Sequence, residues 1–133
     1  MHMSTHIHDY QADVHDYTIQ EICIDFKESK LIMKINLEDT TKTIFFYQLL
    51  AHHFEDVIST NKIFSLYEIS IPTFLSEEKE MLEEKIQVGF PSMKINDMND
   101  LHDLLEQESY KIYQIDATFG LWGYILSKDI QIQ

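Results

Sequence analysis

The chain of 133 residues contains no arginine: its ten basic residues are all lysines. Phosphate and nucleic-acid recognition lean on the planar guanidinium, which grips a phosphate through two parallel hydrogen bonds. A chain without it, carrying 23 carboxylates and a formal net charge of −13, repels a polyanion, which argues against nucleic-acid binding. There is a single cysteine, Cys23, so no disulfide closes within the chain and a reducing cytoplasm is the expected compartment. Three glycines, at positions 89, 120 and 123, cannot supply either standard glycine-rich phosphate loop, and with two prolines they leave little room for long flexible linkers. No apolar run approaches the roughly 20 residues that cross a bilayer. Histidines and aspartates stand near the N-terminus where a secretory leader needs a basic patch and an apolar core, so no leader is expected. Nucleophile-elbow, Cys-x-x-Cys and internal-repeat patterns are also missing.

What is present argues for a packed domain. Hydrophobic residues make up 44% of the chain, with eight Phe, seven Tyr and one Trp, too many for disorder despite the charge. The length fits one domain with a core that needs no staples. Residues 19–47 read as three consecutive strands. Ile22, Ile24 and Phe26 alternate with Cys23 and Asp25; Leu31, Met33, Ile35 and Leu37 alternate with Ile32, Lys34 and Asn36; Thr43, Phe45 and Tyr47 alternate with Ile44 and Phe46. Short polar breaks between them predict an antiparallel meander.

Residues 48–57 fit either a helical turn or a further strand. In 63–71, Ile63, Ser65, Tyr67, Ile69 and Ile71 share one face of an interior strand that Pro72 ends. Ser76 reads as the N-cap of a helix reaching about Val88, stopped by Gly89. A second helix starts near Asn96 or Asp97 and buries Met98, Leu101, Leu104 and Leu105. His102 lies off that stripe and faces solvent. Tyr110 onwards returns to strands, with Trp122, Tyr124 and Leu126 on one side and Gly123 marking a bulge or a close backbone approach. Residues 129–133 read as an extension of that last strand.

Several residue groups bear on chemistry. His2, His6, His8 and His15 lie among aspartates in residues 1–16; His6 and His8 point the same way in a strand, but no closed ligand set accompanies them. Cys23 has no histidine or lysine beside it and reads as a buried, inert thiol. His52, His53 and Asp56 form the best titratable cluster, and on a helix His52 and Asp56 align one turn apart, an arrangement that serves a metal or an acid–base pair. Neighbouring histidines nonetheless point to different sides of a helix or a strand, and the helical zinc spacing is absent. The acidic residues Glu77, Glu78, Glu80, Glu83, Glu84, Asp97, Asp100 and Asp103 crowd the two helices and are the candidate partner-binding surface.

The stretches Ile44-Phe45-Phe46 leading to His52-His53-Phe54, residues 61–71, and Phe119-Gly120-Leu121-Trp122-Gly123-Tyr124-Ile125 resemble small acidic bacterial immunity-type proteins of polymorphic toxin systems. The resemblance covers about half the chain and carries no diagnostic motif. It implies a non-enzymatic cytoplasmic inhibitor of one cognate toxin domain, and no catalytic residue is carried over.

The expected fold is α+β: an antiparallel sheet of five to six strands with two helices inserted before a C-terminal β-hairpin. A β-sandwich and a partly closed barrel are the alternatives. Residues 1–16 form a flexible polar segment and 17–133 a single domain. The expected function is an acidic protein-binding module that occludes a basic partner, with no cofactor, no metal and no membrane. Two rivals remain: a small metal-dependent or hydrolytic enzyme centred on His52, His53 and Asp56, and a structural homodimer.

Overall fold

The structure, a computed structural model, describes residues 6–133, His6 through its backbone alone. His6–Asp9 forms β1, and Gln11–Val14 a single helical turn, α1. The expected meander is present as β2 (Thr18–Asp25), β3 (Lys30–Leu37) and β4 (Thr40–Tyr47), paired antiparallel outwards from Asp25↔Lys30 and Leu37↔Thr40. Next come β5 (Ala51–Glu55) and β6 (Asn61–Ile69), then α2 (Ile71–Glu77), α3 (Lys79–Ile86) and α4 (Met98–Gln107), and finally β7 (Lys111–Ala117), β8 (Trp122–Ser127) and β9 (Asp129–Ile132).

The architecture is α+β as expected, but with nine strands in place of five to six and four helical segments in place of two. One cause of the difference is a cap. Ser70, not Ser76, begins the helical region: its Oγ accepts a hydrogen bond from the backbone N–H of Thr73 at 3.2 Å. Pro72 sits in that first turn, where a missing N–H has no helical partner to lose, so it opens a helix and does not merely close a strand. The single helix expected over 76–88 is instead split between α2 and α3 at Glu78. Residues 51–55 prove to be a strand, and 129–132, expected to extend β8, a separate strand that pairs with β4.

The strand order is β5-β8-β7-β6-β2-β3-β4-β9, with β1 beside the second half of β6. Only Lys128 separates β8 from β9, yet β9 pairs with β4 at the other end of this order. A sheet connected in that way has to roll up. Phe46 on β4 and Tyr113 on β7 accordingly meet ring to ring at 5.5 Å across the interior. The partly closed barrel, an alternative at the level of sequence, describes the inner half of the molecule better than a flat sheet does.

Two apolar layers result. The inside of the roll holds Leu31, Met33, Ile35, Ile44, Phe46, Leu66 and Ile115. The outer face of β6, β7 and β8 presents Ile69, Ile112 and Leu126 to Phe74, Leu82, Leu101 and Leu105 from the helices. A register shift between Ile63 and Ser65 turns both Ile63 and Leu66 inward. The common face expected for Ile63, Ser65, Tyr67, Ile69 and Ile71 therefore holds only for Ser65, Tyr67 and Ile69; Ile71 belongs to α2.

The N-terminal segment also contributes to the core. β1 pairs with β6, the N–H of Asp16 donates to the carbonyl of Ile63 at 2.9 Å, and Val14 is fully buried. His2 and the side chain of His6 lie outside the described residues. Cys23, expected to be buried, is exposed, because the phase of β2 opposite Ile22 and Ile24 faces solvent. Among the described residues no helix is long and apolar enough to cross a membrane.

Tyr113 carries a hydroxyl that is buried with no hydrogen-bond partner among the described residues. Burial, with the nearby charges of Glu68 and Asp129, pushes its pKa far up. A buried donor without a partner costs about 1–3 kcal/mol, so Tyr113→Phe is expected to leave stability unchanged or raise it by about 1 kcal/mol. A fall in the urea midpoint would show that the hydroxyl is bonded.

Candidate functional site

The helices do not cover all of the outer sheet face. Across β6, β7, β8 and β5 the register sets side chains in rows, two residues apart, that share this face. The first row, Ile69, Ile112, Leu126 and Ala51, lies under the helices and is apolar. The next is Tyr67, Gln114, Tyr124 and His53, and the third is Ser65, Asp116, Trp122 and Glu55. The face turns from aliphatic to aromatic and charged along these rows: Tyr124 is still covered by Phe74 of α2 and Ser65 is buried, while Tyr67, Gln114, Asp116 and Trp122 are half-buried and Glu55 is exposed.

These groups bond to one another. The Oδ2 of Asp116 accepts from Gln114 Nε2 at 3.2 Å, Ser65 Oγ at 3.3 Å and Tyr67 O–H at 3.5 Å. Burial, then the charge of Asp116 and its hydrogen bond, push the Tyr67 phenol up to about 12. His53 Nε2 lies 2.8 Å from Glu55 Oε2, and its ring packs edge-on against Phe90 and Trp122, each at 6.3 Å between centroids. Trp122 donates its indole N–H to Asp56 Oδ2 at 3.1 Å. Tyr124 donates to Glu78 at the break between α2 and α3. Burial is the main reason that both the Tyr124 phenol and the Glu78 carboxyl are raised.

The cluster His52, His53 and Asp56 does not converge. β5 is a strand, so His52 and Asp56 are not one helical turn apart. His52 faces the other side, its ring 5.0 Å from that of Phe54, while His53 and Asp56 are taken up by Glu55 and Trp122. Neighbouring strand residues point to opposite faces, as the sequence implied. No group of three or more His, Cys, Asp or Glu is arranged to hold a metal ion among the described residues.

The eight helical carboxylates separate by role. Glu77, Glu80, Glu83 and Glu84 are exposed. Glu78 turns towards Tyr124. Asp97 Oδ1 caps α4 by accepting from the N–H of Asp100 at 2.8 Å, and Asp100 Oδ2 accepts from Asn96 N–H at 2.9 Å, a reciprocal arrangement that holds the turn. Asp103 lies 3.3 Å from His102, which is exposed as expected. The cleft between α3 and α4 that includes Glu83 and Asp97 holds only about 120 Å³, less than the 300 Å³ or so of an ordinary ligand pocket.

Sequence reading missed Ser65, Tyr67, Glu55 and Asp116 as members of one surface. The signal was there in phase: Ser65, Gln114, Asp116 and Glu55 are polar at the strand positions that continue Ile69, Ile112, Leu126 and Ala51. Which strands lie side by side was needed to see it.

His52 and Glu78 give opposite pH responses. Burial, with a smaller effect from His53, lowers the His52 pKa from its ordinary 6.5. The unfolded chain therefore binds this proton first as pH falls, so the stability due to neutral His52 is complete above 6.5 and is lost below it. Glu78 is raised from its ordinary 4.5; its contribution is complete below that value and is lost as pH rises through the raised one. His52→Gln is expected to flatten the decline in thermal midpoint between about pH 7 and pH 5. An unchanged profile would mean that His52 is open to solvent.

The fold and site together define a rolled antiparallel sheet with a helical layer on one flank and an uncovered aromatic and acidic strip beside it. No family model, curated protein or solved structure matches the chain.

Proposed function

We propose that this protein is a non-enzymatic binding module for a basic partner protein, and that the uncovered strip of the outer sheet face is where the partner docks. One observation carries the reading: Tyr67, Trp122 and Asp116 stand together on the sheet with Glu55, Asp56 and Glu78 around them, and among the described residues no lysine ion pair takes up one of these carboxylates. The lysine ion pairs among the described residues are elsewhere, Lys34–Glu21 at 3.6 Å and Lys62–Asp16 at 3.9 Å. Half-buried Trp and Tyr side chains are the commonest anchors of protein interfaces, because they supply large contact area with few rotamers to freeze. The exposed Glu77, Glu80, Glu83, Glu84 and Asp103 on the adjoining helices, together with the net charge of −13, steer a cationic surface towards the strip.

The inhibitor form of this function is occlusion in a cytoplasmic setting: the strip covers the working surface of a toxin-like partner and performs no bond-making. Asp97 and Asp100 are engaged at the α4 cap, so they contribute charge more than contact.

The test is an NMR titration of the labelled protein with a blocked hexa-arginine peptide, with hexa-glutamate as control. Expected are shifts centred on Tyr67, Gln114, Asp116 and the Trp122 indole, and an affinity that falls at least tenfold from low to high salt. Trp122→Ala and Asp116→Asn are expected to abolish those shifts. Perturbations spread evenly along residues 77–103, or none, would sink the reading.

A further inference from the structure

We infer that the free edge of β5 receives an extended basic segment of the partner as an added strand, which extends the rows of the uncovered strip by one. This rests on the binding reading above and names how the partner is held. β5 ends the strand order: it pairs with β8 over five consecutive positions, and no backbone hydrogen bond leaves its other side among the described residues.

Edge strands are normally blunted by lysine, proline or a bulge, because unpaired N–H and C=O groups template further pairing. Residues 51–55 have none of these. β1, by contrast, carries a register shift between His6 and His8. The usual deterrent charge is muted in β5. The ring of His52 is held towards its neutral form by burial, and His53 is bonded to Glu55. Asp56, at φ 57, turns the chain out of the strand, and the next two residues, Val57 and Ile58, are 57% and 50% exposed. Apolar side chains left in water beside an open edge favour an occupant that covers them.

The chemistry of the occupant follows from the two faces of β5. On the outer face β5 presents Ala51, His53 and Glu55, so the side chain of an added strand opposite its Glu55 end meets a carboxylate, with Asp56 just beyond, and is favoured as lysine or arginine. On the inner face the neighbours are Phe54 and neutral His52, which favour apolar side chains at the intervening positions. Cross-strand partners sit about 5 Å apart, close enough for both kinds of contact to contribute. A second copy of this chain is disfavoured: pairing β5 with β5 brings two Glu55 side chains and two net charges of −13 together. Strand addition is an established route by which an exposed edge gains affinity from main-chain bonds and specificity from alternate side chains.

The probe is blocked (Lys-Val)₃ and two analogues of it, one N-methylated on the valines and one on the lysines. N–H groups along a strand point alternately to either side, so one analogue loses every N–H it would donate to β5 and sets methyl groups against that edge, while the other keeps its donors. The expected result is binding by the parent, at least tenfold weaker binding by one analogue, near-parental binding by the other, and slowed amide exchange within residues 51–55. Equal binding by both analogues, equal loss by both, or no binding by the parent would overturn the inference. If both bind equally and shifts remain at Tyr67, Asp116 and Trp122, docking on the strip survives and strand addition does not. If β5 amides alone respond, strand addition stands and the strip falls. Concentration-dependent dimerisation that the peptide competes away would assign the edge to a second copy and also overturn it.

Discussion

Gly123→Ala is expected to destabilise the protein by about 3 kcal/mol or more, and in doing so to detach β5 from the sheet. Added bulk in a packed interior costs about 1–3 kcal/mol when side chains can yield. Here they cannot, because the obstruction is main chain. A Cβ at position 123 would lie 1.9 Å from the carbonyl oxygen of His53, 2.9 Å from its carbon and 3.0 Å from the Cα of Phe54. Either β5 moves away or β8 bends, and both responses break the ladder between them. A domain of this size is stable by about 5–15 kcal/mol, so the loss is large enough to read directly from urea denaturation. Hydrogen exchange should show residues 51–55 losing protection before the inner strands do. A variant with the denaturation midpoint of the parent would show that the two strands are not in such close contact.

Phe74→Ala should cost about 3–5 kcal/mol, the range for deleting a buried aromatic ring. Phe74 is fully buried and joins α2 to the outer sheet face, its ring 4.9 Å from that of Tyr124 and inclined at 62°. The surrounding Leu82, Leu101, Leu105, Ile112 and Leu126 belong to the helical layer and not to the interior of the roll. Truncation is therefore expected to loosen the helices first. Exchange protection should fall in α2, α3 and α4 while β3 and β4 keep theirs. The Tyr124–Glu78 contact should loosen with it, since Tyr124 loses the ring that packs on it and Glu78 lies at the end of α2. Uniform loss of protection throughout the chain would show that the two apolar layers unfold as one.

How much was legible beforehand depended on whether the controlling forces were local. The β2-β3-β4 meander could be read because period-2 alternation and short polar turns lie within a single window of sequence. The α4 start at Asp97 was legible for the same reason, since a cap acts on the residues that follow it. The close approach at Gly123 was anticipated as one of two readings. Residues 51–55 were ambiguous because five residues cannot separate the two periods, and only pairing with β8 settles them as a strand. The helix start was misplaced because Ser70-Ile71-Pro72 and Ser76-Glu77-Glu78 are both good local signals, and burial of Phe74 favours the first. Cys23 was misjudged because alternation shows that two faces differ without showing that the second one is bare.

The same division holds for the candidate site. The acidic helices, the absent guanidinium and the excess of aromatics were properties of composition; they argue against a polyanion, and the proposal of a cationic protein partner starts from them. That Asp116, Tyr67, Ser65, Trp122 and Glu55 share one strip was decided only in three dimensions. These residues are spread from Glu55 to Trp122, nearly seventy positions, and their meeting depends on β7 and β8 being laid between β6 and β5. Non-local register of that kind arises from packing of whole faces against one another, a term that no window of neighbouring residues contains.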